Sequence, residues 1–266
     1  MIRQPVAAGK FYPDDPEILK KTIRVKSIDV EKKYKAKGVV SPHAGYFYSG
    51  DIAAKVYSYI DIPETVLILG PNHNGFGGFY SLSGADFWET PLGKVPVNKE
   101  LTDMIIKYSP FIQIDDTSHM YEHSIEVQLP FLQYFKEDFN IVPVSLMGYE
   151  LREIMILAKG IINAINEYNK EVLIVASTDF SHYVSAEEAK KLDFIAIEQI
   201  LSVNPEELWH KVKDKRISMC GVAPTTMMLE IVKERVNNAK LIKYATSGDA
   251  SGDPDSVVGY AGIIVY

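Results

Sequence analysis

Val66-Leu67-Ile68-Leu69-Gly70-Pro71-Asn72-His73-Asn74 is a short apolar β-type run that stops at Gly-Pro and delivers a histidine to the end of a strand. Gly38-Val39-Val40-Ser41-Pro42-His43-Ala44-Gly45-Tyr46 repeats the pattern, with proline and histidine directly after the run. Val172-Leu173-Ile174-Val175-Ala176-Ser177-Thr178-Asp179-Phe180-Ser181-His182 passes from a buried strand into a polar loop carrying Asp and His. Ligands of an open α/β sheet bind in the crevice outside the carboxyl ends of its strands. The three loops are therefore expected to meet, and a metal site built from them is the central expectation.

The 266 residues can bury a large core, and one α/β domain over 1–266 is the expectation. A hydrophobic fraction of 47% and a charged fraction of 24% are ordinary for a globular chain and exclude general disorder. Net charge is −7, with Lys and Arg interspersed among Asp and Glu, so no basic stripe exists to track nucleic acid. No apolar stretch has the length of a membrane span, and Met1-Ile2-Arg3-Gln4-Pro5 lacks the apolar core of a signal peptide. A cytoplasmic protein away from membranes is expected. Cys220 is the only cysteine, which rules out an intrachain disulfide and leaves one thiol to explain.

Pro5 to Pro13 is too rich in Gly and Pro for a regular element, yet Phe11 and Tyr12 are costly to leave in water. This stretch is expected to pack as an ordered arm before a helix started by Asp15-Pro16. The first histidine strand, a helix over Gly50–Ile60 and the strand from Thr65 make a βαβ unit. Its right-handed crossover puts the His43 and His73 loops on one sheet edge. Phe79–Ser83 and Phe87–Val97 read as a small antiparallel extension of the main sheet. Further strands are expected at Asn140–Leu146, Lys240–Thr246 and Val257–Val265, and helices at Glu150–Tyr168, Ser185–Leu201, Pro205–Lys213 and Thr225–Glu234. The fold class is thus α/β, with a mixed, mostly parallel sheet flanked by helices.

In Ser118-His119-Met120-Tyr121-Glu122-His123-Ser124-Ile125-Glu126, His119 and His123 are four apart and could share one helical face. The zincin pattern is missing, so a protease reading fails. Glu122 and His123 read either as cleft-facing groups at a helix N-terminus or as a solvated loop and helix cap. Cys220 lies near a predicted helix N-terminus, where the dipole favours a thiolate. Ser247 to Pro254 lacks the carboxylate ladder of a calcium loop.

Two imidazoles and an anionic ligand leave open positions on a divalent metal, as in non-haem Fe(II) oxygenases; a thiolate as the anion widens the choice to zinc or copper. Ser177, Asp179, Ser181 and His182 offer a serine-hydrolase alternative, but no Gly-x-Ser-x-Gly elbow is present.

Val6-Ala7-Ala8-Gly9-Lys10-Phe11-Tyr12-Pro13, Pro42-His43-Ala44-Gly45-Tyr46, Leu69-Gly70-Pro71-Asn72-His73, Glu122-His123-Ser124-Ile125-Glu126, Ser177-Thr178-Asp179-Phe180-Ser181-His182 and Cys220-Gly221 together resemble the Memo family, named for mediator of ErbB2-driven cell motility, across nearly the whole chain. That family is similar in fold to class III, LigB-type extradiol dioxygenases, which hold Fe(II) with two histidines and a glutamate. The resemblance implies His43 and His73 as metal ligands, with Cys220 where the dioxygenases have a carboxylate. Asp179 and His182 would line the pocket, His182 as the acid/base, and Tyr46, Asn74, Glu122 and His123 would support ligands or touch substrate. Vertebrate members of the family look to have a second histidine after the one matching His73, where this chain has Asn74, a departure that changes the rim.

Iron is the first choice of metal, with copper or zinc as alternatives, and the implied chemistry is dioxygenase-like oxidoreduction of a small molecule. The alternative is a module that binds a peptide or protein without turnover, since vertebrate relatives are associated with receptor signalling and phosphotyrosine peptides. The motif loops contain no arginine, which counts against that partner. Resemblance to microbial relatives also implies an association with a radical-SAM pathway.

Overall fold

The apolar runs become strands of one sheet in the computed structural model, which describes every residue except Tyr149. Thr65–Pro71, buried throughout, pairs in parallel with Asn140–Leu146 on one side and Val172–Ser177 on the other. Val172–Ser177 pairs in parallel with Gly38–Ser41. Antiparallel strands flank this block, Val257–Val265 beside Gly38–Ser41 and Tyr80–Leu82 beside Asn140–Leu146. Among the described residues the sheet has nine strands.

Successive side chains of a strand point to opposite faces, and both faces are covered. Val40, Leu67 and Leu69 join a core with Leu157, Ile161, Ile197 and Met227, under the helices Leu151–Tyr168, Ala186–Leu201 and Val222–Val232. Val39, Val66 and Ile68 join the opposite core with Ile23, Tyr57 and Phe131, under Pro16–Lys26, Gly50–Ser58 and Leu129–Phe135. Each such aliphatic side chain contributes about 1.5–3 kcal/mol on burial. Two-sided coverage is why these strands read as continuous apolar runs rather than alternating ones.

Helix starts follow their local signals. Asp15 accepts from Glu17 N and Ile18 N, both at 2.9 Å, with Pro16 in the first turn. Ser185 and Asn204 cap the helices after them in the same way. Val222–Val232 begins three residues earlier than the expected Thr225, because Pro224 is tolerated in a first turn.

The βαβ unit does not place Gly38–Ser41 directly beside Thr65–Pro71. Val172–Ser177 lies between them, parallel to both. All three therefore end on the same edge, and the loops carrying His43, Asp179 and His73 follow in a row.

Two expectations are corrected. Of the two segments, Tyr80–Leu82 joins the main sheet, whereas the hairpin Phe87–Thr90 and Gly93–Pro96 forms a separate three-stranded sheet with Ile2–Arg3. The driver is Trp88, fully buried, with the Arg3 guanidinium 4.3 Å over its ring. His119 and His123 share no helical face. Asp116–His119 is a single 3₁₀ turn capped by Asp115, and regular helix starts only after the further 3₁₀ turn Glu126–Gln128. Arg3 holds the intervening bend by donating to the carbonyls of His119 at 3.1 Å and Glu122 at 2.6 Å.

The arm is ordered, and Glu126, fully buried, anchors it. Its carboxylate accepts from Val6 N and Ala7 N at 2.9 Å each and from the Tyr12 hydroxyl at 2.5 Å, and it pairs with Arg3. No described helix is long and apolar enough to cross a membrane.

Candidate metal centre

His43 and His73 sit directly beyond their strands, and His123 reaches the same place from the bend before Glu126. The ring centroids are 5.1 Å apart for His43 and His73, 4.9 Å for His73 and His123 and 5.5 Å for His43 and His123. One nitrogen from each lies within 4.8 Å of the other two. Cys220 Sγ is 3.2 Å from His43 Nε2, against one imidazole of the set.

Each ring is held from behind. The His43 N–H donates to Asp179 Oδ1 at 2.9 Å, and its Nδ1 lies 3.0 Å from Ser177 Oγ. Glu122 accepts from His73 N at 2.6 Å, and His73 Nδ1 lies 2.9 Å from the other carboxylate oxygen. The same carboxylate accepts from Asn74 Nδ2 at 3.1 Å, His123 N at 3.0 Å and Ser124 N at 2.9 Å. Phe11 stacks on His123 at 4.2 Å.

Burial pushes the Glu122 carboxyl up, but the His73 hydrogen bond, the His73 and His123 charges and the Ser124 N–H outweigh it and hold the pKa at about 2. Glu122 is therefore an anion that cannot donate, so His73 Nδ1 carries a proton, and in the neutral ring the lone pair is on Nε2. Burial lowers the His73 pKa, and Glu122 overcomes this to raise it. His43 is pushed far down, first by burial and then by His73, His123 and His182. Burial brings His123 to about 4. Burial keeps His43 and His123 neutral, and His73, braced by the Glu122 carboxylate, offers Nε2 once a cation displaces its second proton, so the residues fit a divalent ion.

Burial raises Asp179 to about 6. Burial, then the Asp179 carboxyl, pushes the Cys220 thiol far above its ordinary range. This corrects the expected thiolate: desolvation and a neighbouring carboxyl outweigh the dipole of the helix that Gly221 caps. His182 opens the short strand His182–Val184, donating its N–H to Ser218 Oγ at 2.7 Å, with Nδ1 2.8 Å from the Ser218 carbonyl. Asn74 stands at the rim on Glu122. Tyr46 is buried beneath, its hydroxyl donating to Val127 O at 2.7 Å and its ring stacked on Phe131, so it braces the arm through Phe11 O.

A family model described as a Memo-like protein matches residues 3–264. This chain belongs to the Memo family. A MEMO1 family protein of Aquifex aeolicus (strain VF5) is 44% identical over 270 residues, covering 99% of this chain and 98% of the relative. Another, of Methanosarcina mazei, is 42% identical over 269 residues, covering 99% of each chain. The crystal structure of an uncharacterized Escherichia coli K12 protein matches with a TM-score of 0.54 at 11% identity, covering 85% of this chain and 98% of that one. At that identity the likeness is one of fold.

In this Memo-family chain, sequence reasoning missed Phe11, Ser177 and Gln128 as supports. The one available signal was an aromatic on a Gly/Pro arm that cannot bury it by itself. Gly221, quoted in the sequence only beside Cys220, has a packing reason. A Cβ there would stand 2.3 Å from Thr178 Cβ and 2.6 Å from the Ser177 carbonyl oxygen. Gly221→Ala is expected to cost about 1–3 kcal/mol and to move Cys220 away from His43, read by urea unfolding and by faster thiol labelling.

His119 lies outside the centre, buried edge-on to Trp88 at 5.5 Å. Burial, and then Arg3, lowers its pKa from 6.5 to about 4. The unfolded chain therefore binds more protons between those values, so stability is present above pH 6.5 and drains as pH falls toward 4. Its share is roughly 3 kcal/mol. His43 and His123 act in the same direction, whereas His73, raised, contributes below its unfolded value and loses that as pH rises. Melting curves of metal-free protein should show a steep acid loss that flattens in His119→Gln. An equal slope in both would remove the assignment.

Proposed function

We propose that this Memo-family protein is a metal-dependent oxidoreductase acting on a small molecule in the crevice over the three loops. The observation that carries the reading is the convergence of His43, His73 and His123, with Glu122 holding His73 Nδ1 from behind. His43 and His73 are two ligands; Cys220, in its deprotonated form, is the third, and His123 is the rival for that place. Iron is the first metal, and copper or zinc follow if the sulfur ligates. Bound there, the ion supplies Lewis acidity, redox capacity and open coordination positions.

The chain's own residues do the rest. The Ser218 carbonyl can only accept, so His182 Nδ1 carries the proton and Nε2 is free to take one from a substrate hydroxyl. Asp179 holds the His43 main chain. The arm, through Phe11, stacks on His123 and orients its ring. A second reading, partner binding without turnover, is favoured by the exposure of Phe47, Phe76 and Tyr121 on loops and of Tyr183 on the strand His182–Val184.

Crystals grown from anaerobically purified protein and loaded with Fe(II), Cu(II) or Zn(II) test the site by anomalous scattering across each absorption edge. A peak bonded to His43 and His73 is expected; its absence with every metal removes the proposal. Metal affinities of Cys220→Ser and His123→Ala then identify the third ligand by the larger loss. Oxygen uptake by the iron form over a catechol panel separates turnover from binding.

A further inference from the structure

We infer that Ser177 is a positioning residue that fixes the tautomer of His43, placing its proton on Nδ1 and leaving Nε2 bare toward Cys220. The argument is a proton count that ends at two carbonyls. Gln128 Nε2 lies 2.9 Å from the Pro42 carbonyl oxygen, which can only accept, so the amide nitrogen is the group on that side. The Tyr57 hydroxyl donates to Gln128 Oε1 at 2.9 Å and locks that orientation. The remaining amide N–H then points to Ser177 Oγ at 2.8 Å.

Ser177 has one proton, and its Oγ is 2.6 Å from the Ser124 carbonyl oxygen, again a pure acceptor. The serine proton is committed there, and Gln128 approaches as a donor. Toward His43 Nδ1, 3.0 Å away, Ser177 can therefore only accept. His43 Nδ1 must carry hydrogen, which leaves the Nε2 lone pair on the side of Cys220 Sγ at 3.2 Å.

Without this relay the preference would be open to reversal. Asp179 Oδ2 stands 3.9 Å from His43 Nε2 and would draw a proton onto that nitrogen. Gln128, Ser177 and Tyr57 come from a 3₁₀ turn, a strand end and a helix, and all are buried. His73 has a carboxylate for this purpose; His43, deeper in, has a neutral relay that adds no charge beside Asp179. The tautomer stands independently of the metal, whereas its consequence for affinity rests on the function proposed above.

The test is long-range ¹H–¹⁵N correlation on ¹⁵N-histidine-labelled, metal-free protein near neutral pH. Wild type is expected to show His43 with a pyrrole-type Nδ1 and a pyridine-type Nε2. Ser177→Ala should move the proton wholly or partly to Nε2, and Ser177→Thr, which keeps the hydroxyl, should hold it on Nδ1. An Nε2–H tautomer in wild type, or an unchanged spectrum in folded Ser177→Ala, overturns the inference. If the alanine variant does not fold, the wild-type spectrum decides. Metal affinity is read separately, with a loss of about 10–100-fold in Ser177→Ala. A wild type with the expected tautomer and no metal binding would sink the metal reading and leave this one standing.

Discussion

Glu126→Ala is expected to lower the unfolding free energy by about 3–5 kcal/mol, the cost of breaking a buried ion pair by removing one partner. Arg3 would keep its charge against Trp88 with no carboxylate to meet it. Val6 N and Ala7 N and the Tyr12 hydroxyl would lose their acceptor together. Each is a donor that must return to water, which requires the arm to leave the body. Phe11 then comes off His123, so the damage reaches the centre. Urea unfolding should show the loss, and limited proteolysis should cleave after Lys10 in the variant while sparing wild type. Glu126→Gln keeps the shape and an acceptor but not the charge, and should fall between. An alanine variant within about 0.5 kcal/mol of wild type, the range of ordinary surface substitutions, would show that the arm is held elsewhere.

The second large effect concerns metal affinity. His73→Ala should abolish stoichiometric binding if the proposed site is right, because it removes one of the three clustered imidazoles. Glu122→Gln keeps every ligand but exchanges the anion at His73 Nδ1 for a neutral amide, and should weaken binding about 10–100-fold. The pair separates ligation from support. Competition titration with a chelating dye reads both. Equal affinity in wild type and His73→Ala would place the ion away from these loops.

The Glu122 carboxylate also has a pH signature. Its folded pKa, about 2, lies below its ordinary 4.5, so the stabilisation it brings is present above the higher value and lost as pH falls toward the lower. His73, raised, and His123, at about 4, lose their neutral forms at higher pH than this, so acid should release metal before Glu122 itself protonates. Together with the His119 effect, this places the acid weakness of the molecule in its histidines first.

Much of the fold was legible because its signals are local. Three apolar runs closed by turn residues identified the strands, Asp15-Pro16 and Asn204-Pro205 identified helix starts, and histidines after strand ends identified the edge where the centre lies. The hairpin Phe87–Thr90 and Gly93–Pro96 was readable as a hairpin but not as a member of a second sheet. Its partner, Ile2–Arg3, lies about 85 residues away, as the contact of Met1 with Asp86 also shows, and no turn chemistry encodes that pairing.

The sequence by itself determined which residue types stand at the ends of which strands, since periodicity, proline and glycine act within a few residues. Packing alone settled that Val172–Ser177 inserts between the other two histidine strands, that His123 joins them from a bend, and that burial and Asp179 push the Cys220 thiol up. Strand order, convergence and proton affinity all depend on what is packed around a group, and desolvation by distant chain is invisible until that chain is in place.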